Sequence, residues 1–381
     1  MSKILLTNGA YKQTLAIARS LGAAGYEVGI VSHHAFSVGF FSKYCRHRHI
    51  IREINNGQKY TQQLIFLLKK HHYDIVLPVG YPVTGWLAER ADAIRLFSKL
   101  PLAHISAFNI FEDKQKTHDL ARQLGIPIPL TFAPKTLEEA TKCFNLLELP
   151  VVFKKIMEGK NRIAYAYNED DYFRFFKEFN ASTPEGVNEG FIIQEFLTGQ
   201  GAGYFALYEN GILKQDFMHL RLREYPVDGG AACFAQSIDN EQLRTFGSCI
   251  LTTVQWHGVA MVEFKFDAKG EPRLLEVNPK FWGSYDLCLA ANADFAVPLV
   301  EMALGKTLSA PPQYKRNLRF SWLMNGDLLN GIERGKVREV LSDFFSSQTH
   351  SNLIWRDPLA SLFLILSGIL SIFKAILRRI K

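Results

Sequence analysis

The stretch 259–280, V-A-M-V-E-F-K-F-D-A-K-G-E-P-R-L-L-E-V-N-P-K, constrains the fold of this 381-residue chain more than any other. Two runs that alternate in period two flank Lys269-Gly270, the pattern of a β-hairpin whose glycine can take a positive φ. A two-residue turn pairs Ala268 with Glu271, and counting outward sets Glu263 opposite Glu276. Period two then puts Asn278 on the face of Glu276. Like charges about 5 Å apart across a strand pair repel. A divalent cation removes that conflict, and two carboxylates with an amide oxygen suit Mg²⁺ better than zinc while leaving positions for phosphate oxygens and water. The competing reading is a solvated hairpin face, since one bulge would change every pairing.

A second row points the same way. His219, Arg221 and Arg223 alternate with Leu220 and Leu222, so one strand is expected to present three potentially cationic groups on one face. Basic groups beside an acid-and-metal site are what phosphoryl chemistry requires, and a solvent-exposed strand face is the alternative. The histidines at 33–34, 47–49 and 71–72 have no matching carboxylate or thiol pattern and read as surface residues.

Around these stretches the chain divides by texture. A strand at Ile4–Thr7, an Asn8-Gly9 turn, a helix at Thr14–Leu21 and a strand at Glu27–Ser32 form a βαβ unit. The apolar run Ile75–Val79 extends it to a small doubly wound domain over 1–105. No G-x-G-x-x-G follows the first strand, so a dinucleotide site is not indicated. From Ser106 a polar helix leads to the extended linker I-P-I-P-L-T-F and a unit ending near 198, with a strand at Val151–Lys155, a helix near Asp170–Phe179, a loop at 183–190 and a strand at Phe191–Phe196. Strands dominate 199–310, and 311–356 has no readable period. Five scattered cysteines without a C-x-x-C pair suggest neither a disulfide framework nor zinc. A reducing compartment follows, and the apolar N-terminus is too short for a signal peptide.

With the spacing assembled, residues 1–310 resemble the ATP-grasp ligases. Motifs occur in that superfamily's order: E-D-K at 112–114, the linker L-G-I-P-I-P-L-T-F at 124–132, L-P-V-V-F-K at 149–154, I-I-Q-E-F-L at 192–197, and the metal-strand pair ending L-E-V-N-P-K. The resemblance implies an α/β N-terminal pre-ATP-grasp domain followed by two α+β lobes (106–198 and 199–310). It makes Lys114 and Lys154 ligands of the ATP phosphates, and Gln194, Glu195, Phe196 and Leu197 the hinge whose backbone reads adenine. Gln200 would take the ribose, Glu263, Glu276 and Asn278 would ligate Mg²⁺ (or Mn²⁺), and Arg221 and Lys280 would stabilise transition-state charge. It also implies a loop, Glu158–Arg162, closing over the phosphates, and an acceptor pocket lined by Trp282 and Tyr285, with core filling as the alternative for Trp282. Departures from the pattern are the single glycine of that loop, Gln200 in place of an acid, and Lys280 in place of arginine, which keeps the charge and loses bidentate geometry. The implied activity joins a small-molecule carboxylate to an amine through an acyl phosphate. Carboxylation or carbamate formation on the same scaffold is the near alternative, and a catalytically silent ATP-binding scaffold at a membrane the distant one.

The formal charge of +7 is unevenly placed. Residues 311–381 hold 11 Lys+Arg and 5 Asp+Glu, a net +6, and the remaining 310 residues net +1. That argues against nucleic acid as the partner, because no basic patch accompanies a recognition element. The surplus adjoins an apolar stretch, L-A-S-L-F-L-I-L-S-G-I-L-S-I-F at 359–373, whose 15 residues would make a helix of about 22 Å. That is shorter than a hydrocarbon core of about 30 Å. Residues 357–381 are therefore expected to form an amphipathic helix with a basic end, lying in the plane of a membrane at its cytoplasmic face. Docking of this helix on the enzyme body or on a second subunit of a homodimer is the alternative.

Overall fold

A computed structural model describes residues 1–157, 163–181, 190–227 and 229–380. The loop expected at 158–162 lies outside the described residues, as does most of the one at 183–190. Strands β1 (Lys3–Leu6), β2 (Glu27–Ser32), β3 (Cys45–Ile50) and β4 (Ile75–Leu77) form a parallel sheet in the order β3-β2-β1-β4. Ile4, Leu5 and Leu6 are fully buried, as expected of a parallel strand covered on both faces. The edge strand β3, C-R-H-R-H-I, lacks an apolar run and escaped the sequence reading; its exposed Arg46 and Arg48 discourage edge-to-edge pairing.

The second sheet contains β5 (Thr131–Phe132), β6 (Val151–Lys155), β7 (Ile163–Ala166) and β8 (Phe191–Glu195) in the antiparallel order β5-β8-β6-β7. The helix Glu169–Asn180, capped by Asn168, packs Tyr172, Phe176 and Phe179 against Phe153 and Phe191 of this sheet.

The third sheet has seven strands: β9 (Gly201–Glu209), β10 (Ile212–Tyr225), β11 (Ala231–Ile238), β12 (Gly258–Phe266), β13 (Pro272–Asn278), β14 (Arg319–Ser321) and β15 (Thr349–Ser351), ordered β13-β12-β9-β10-β11-β14-β15. One face, with Tyr204, Val262 and Phe264, packs on the helix Glu241–Thr253. The other, with Phe205, Phe217 and Met261, shares a core with Ile4, Ala16 and Ile17 of the first sheet's layer. The N-terminal unit and the large sheet are thus held together by apolar packing.

The hairpin departs from the expected turn in a way that cancels. Asp267 N–H donates to the Glu271 carbonyl and Gly270 takes φ +81°, so the loop has three residues and Phe266 pairs with Pro272. A register shift near Leu275 then restores Glu263 opposite Glu276 and puts Asn278 opposite Met261. The polar helix expected through 112–114 is also interrupted: Asp113 leaves the helix Ile105–Glu112 and caps a second helix, Lys114–Gln123, by accepting from Gln115 and Lys116 N–H.

The C-terminal helix, Pro358–Ile380, has 23 residues and runs through Lys374, about 34 Å at 1.5 Å per residue. It is the one described helix long and apolar enough to cross a membrane, with a mean hydropathy of 1.9 over Pro358–Ala375. Its first turns are docked on the body. Asp357 bonds Arg19 Nε at 2.9 Å and Ser42 Oγ at 2.8 Å, Ala360 and Leu364 pack on Leu15 and Val38, and Phe363 stacks on Phe41. Removing one partner of a buried ion pair such as Arg19–Asp357 typically costs about 3–5 kcal/mol.

Candidate active site

The site forms where the face of the large sheet carrying Glu263 meets the second sheet and the helix Lys114–Gln123. The Asp113 cap fixes that helix start, and Lys114 N–H donates to the Ile156 carbonyl just past β6. This brings Lys114 Nζ to 3.1 Å from Glu276 Oε2. Lys154, on β6, donates to Gln194 Oε1 on the paired β8 at 2.8 Å, and Gln194 Nε2 continues to Thr131 Oγ1 at 3.0 Å. Arg221 on β10 reaches across β9 to Glu263 Oε2 at 2.8 Å and to Glu224 at 3.4 Å. Asn278 Nδ2 donates to Glu276 Oε1 at 3.0 Å, and Lys280 Nζ donates to Asn278 Oδ1 while lying 4.4 Å from the centre of the Tyr81 ring.

The two facing carboxylates are therefore not an uncompensated pair. Arg221 neutralises one and Lys114 the other, with Lys280 on the neighbouring amide. Burial alone would raise the Glu276 carboxyl, but the ammonium groups of Lys114, Lys154 and Lys280 outweigh it and hold Glu276 well below the usual range. Glu263 moves the other way: burial raises it, with the Glu276 charge adding, and Arg221 only partly offsets this. Burial also lowers the Lys154 ammonium. Behind the site His118, buried and pushed down to about 4 by that burial, pins β13 through Nε2 and the Leu275 carbonyl at 2.8 Å, beside the register shift.

The donor chemistry fits a hard divalent ion, because Glu263, Glu276 and Asn278 offer oxygen ligands on one face. Among the described residues no cluster of three His, Cys, Asp or Glu could hold a metal, so the amide is needed to complete the set.

The other expected residues divide. Glu195 is tied into the linker, its N–H to the Leu130 carbonyl and its carboxylate accepting from Leu130 N–H at 3.0 Å. Phe196 lies 4.9 Å from Lys265 Nζ, and Leu197 is buried. Gln200 donates to the Arg221 carbonyl at 3.3 Å, so its side chain leans on β10. Three expectations fail. Arg223 does not join Arg221: register shifts on both sides of it turn its guanidinium to Asp327 and Asp343 in the C-terminal extension. His219 is fully buried and pushed down to about 3 by burial and by the Arg221 charge, so it adds no cation. Tyr285, expected at an acceptor pocket, fills the core, with its hydroxyl bonded to Asp294 at 2.6 Å, and for Trp282 the core-filling alternative holds. The sequence reading also missed Glu224 and Tyr81. Neither had a signal: period two puts Glu224 on the face opposite Arg221, and the register shifts around Arg223 bring it round.

No family model matches the chain. Among curated proteins it is similar to a carbamoyl-phosphate synthase of Methanobrevibacter smithii, 27% identical over 228 residues, which is 58% of this chain and 60% of that protein. Solved structures with the same fold include biotin carboxylase of Campylobacter jejuni, in a complex with β,γ-ATP (TM-score 0.68, 16% identity, 84% of this chain and 74% of that one). Others are L-amino acid ligase of Bacillus licheniformis (0.65, 14%, 83% and 78%) and N5-carboxyaminoimidazole synthetase of Staphylococcus aureus (0.65, 13%, 84% and 80%). The chain has the ATP-grasp fold.

Proposed function

We propose that this chain is a Mg²⁺- and ATP-dependent ligase that activates a carboxylate as an acyl phosphate and passes it to an amine. The observation that carries this reading is the convergence of Lys114, Lys154, Lys280 and Arg221, from four separate segments, on Glu263, Glu276 and Asn278. With Glu224 also on Arg221, four cations face three carboxylates, and the charge left over suits a bound triphosphate. Glu263, Glu276 and Asn278 would hold Mg²⁺, which would supply neutralising charge for phosphoryl transfer. In the first half-reaction a carboxylate oxygen attacks the γ-phosphorus, the bond to the β-phosphate oxygen breaks and ADP leaves. In the second an amine nitrogen attacks the acyl carbon, inorganic phosphate leaves, and the nitrogen gives up a proton. Lys114 and Lys154 orient the phosphates, while Arg221 and Lys280 stand where charge develops. The segment Gln194–Leu197 holds adenine, and Gln200 is within reach of the ribose.

A carboxylating or carbamate-forming reaction is the second reading, favoured by the similarity to a carbamoyl-phosphate synthase and to biotin carboxylase folds. In it bicarbonate is the acid that is phosphorylated. ADP release assayed with bicarbonate against a panel of amino acids and small carboxylates, each with and without an amine, separates the two. ATP binding without turnover across the whole panel would remove both in favour of a silent nucleotide-binding scaffold.

The C-terminal helix supports contact with an anionic membrane surface from the cytoplasmic side. Leu359, Leu362, Leu366, Ile369, Leu370 and Phe373 are each more than half exposed, and Lys374, Arg378, Arg379 and Lys381 follow in sequence. Crossing a bilayer would require stripping Ala360, Ser361 and Leu364 from the body, whereas an in-plane contact leaves them docked. Truncation after Gly368 keeps that docked part. The shortened protein is expected to stay in the supernatant when sedimented with phosphatidylserine vesicles that pellet the full chain; equal pelleting rules the contact out.

A further inference from the structure

The turn that follows the metal strands, residues 279–286, is roofed by two loops of the N-terminal unit. Tyr81 carries Lys280 on its ring face, and the Tyr81 carbonyl accepts from the Tyr11 hydroxyl at 3.1 Å. The next residue, Lys12, extends over the same turn. Its Nζ lies 4.5 Å from the centre of the Trp322 ring, and a Cβ at Gly283 would come 3.7 Å from its Cε, an ordinary contact distance, so the lysine stem lies beside the turn. Contacts run from Glu276 through Asn278, Lys280 and Tyr81 to Tyr11, and Lys12 is the next residue.

Lys12 is half-buried and makes no ion pair or hydrogen bond through Nζ among the described residues. Asp286, the carboxylate whose charge acts on it, is engaged elsewhere, with Oδ2 accepting from Trp322 Nε1 at 3.0 Å. Burial lowers the Lys12 ammonium to about 8, against the pull of Asp286. A second polar group beside this turn is also unsatisfied: His219 bonds Ser284 Oγ through Nε2 at 2.8 Å, while its buried Nδ1 has no partner among the described residues. A cation kept partly out of water without an anion is costly unless something pairs with it. The aromatic face of Trp322 offsets only part of that cost.

We propose that Lys12 is the anchor of an acceptor-substrate subsite, binding a carboxylate or phosphate group of the second substrate where the start of the helix Lys12–Ala23 meets the 280–286 turn. This rests on the ligase reading, which puts the reacting centre at Glu276 and Lys280, and adds that the molecule receiving the acyl group carries an anionic group remote from its reacting nitrogen. The anion would lie between Lys12 and the turn, and its distance from Lys280 would set how long an acceptor fits.

The test uses the full chain with its nucleotide site first filled by AMP-PNP and Mg²⁺, then titrated calorimetrically with inorganic phosphate or with succinate. Wild type is expected to bind one of the two at a single site. Lys12→Met should weaken that binding at least about tenfold, the loss of one charge-assisted contact, and Lys12→Arg should retain it, with AMP-PNP affinity the same in all three. Which probe binds tells a phosphate-bearing acceptor from a carboxylate-bearing one. If wild type takes up neither, or Lys12→Met binds as well as wild type, the subsite is refuted while the ligase reading stands. If AMP-PNP itself does not bind, the ligase reading fails. In that case, and if Lys12→Met does not fold, labelling of the wild-type protein decides. The amine of Lys12 condenses with the aldehyde of pyridoxal 5′-phosphate, losing water, and borohydride reduces the imine to a stable amine that peptide mass spectrometry locates. Labelling at Lys12 that phosphate or succinate suppresses supports the subsite, and labelling that neither anion protects overturns it.

Discussion

Arg221 and Arg223 stand two residues apart on one strand, and their surroundings give them opposite work. Arg221 faces Glu263 and Glu224 beside the paired strands that carry Glu263 and Glu276. Arg223, displaced by the register shifts around it, is held by Asp327 and Asp343 and stacked at 4.1 Å on Phe234, where it fastens the C-terminal extension to the large sheet. Both are mostly buried arginines with two carboxylate partners, so burial and pairing do not tell a working charge from a structural one. What differs is the rest of the neighbourhood. Arg221 stands in a group with Lys114, Lys154 and Lys280, four cations to the three carboxylates Glu263, Glu276 and Glu224, while around Arg223 two acids answer one base.

The largest effect should come from the acid that Arg221 does not cover. Glu276→Ala removes the carboxylate on which three lysines converge, and ATP turnover should fall by about 10³-fold or more, measured as ADP release with any active substrate pair. Retained turnover would make the cation cluster structural and erase the distinction between the two arginines.

The paired variants Arg221→Met and Arg223→Met sharpen it. Arg223→Met strands the fully buried Asp327 and should cost about 3–5 kcal/mol in urea unfolding, with little change in nucleotide affinity. Arg221→Met frees Glu263 for a cation, so its melting temperature should rise with Mg²⁺ more steeply than that of wild type, while Arg223→Met follows wild type. If Mg²⁺ stabilises both variants alike, Glu263 is not a metal ligand.

Acid stability comes next. His118 and His219 are buried, with pKa values pushed down to about 4 and about 3, so below about pH 6.5 the unfolded chain takes up protons that the folded chain refuses. Stability that is complete above pH 6.5 is lost as the pH falls toward those values, at up to about 1.4 kcal/mol per pH unit for each histidine. His118→Asn should flatten the lower part of that slope in chemical unfolding across pH 4–7; an unchanged slope would mean that His118 is already protonated in the native state.

Gln200→Ala should have the smallest effect. Its amide makes one exposed bond to the Arg221 carbonyl, and nucleotide affinity is expected to weaken only a few-fold by calorimetry. A loss of a hundredfold or more would give Gln200 a weight that this geometry does not.

The carboxylate pair was legible because period-two alternation fixes faces, yet its register came out right through two offsetting departures: a three-residue turn where two were counted, and a shift near Leu275. Lys114 and Lys154 were readable only through the order of motifs, since nothing local in E-D-K says that a cap at Asp113 aims the following helix at Glu276. Arg223 misled because alternation assumes an unbroken strand, and register shifts leave no composition signal. The region 311–356 stayed opaque for a related reason. Its strands β14 and β15 have three residues each, and the region is held by partners far back in the chain, such as Phe234 and Gln236 of β11 paired with Ser321 and Arg319, and Arg223 on Asp327.

Calorimetric titration of AMP-PNP in Mg²⁺ and in EDTA, on wild type and on the Glu263→Gln, Glu276→Gln double variant, tests the central claim most directly. Wild type should bind nucleotide tightly with Mg²⁺ and weakly without it, and the double variant should lose that difference. Equal Mg²⁺ dependence in both proteins would contradict the assignment of these two carboxylates as the metal site.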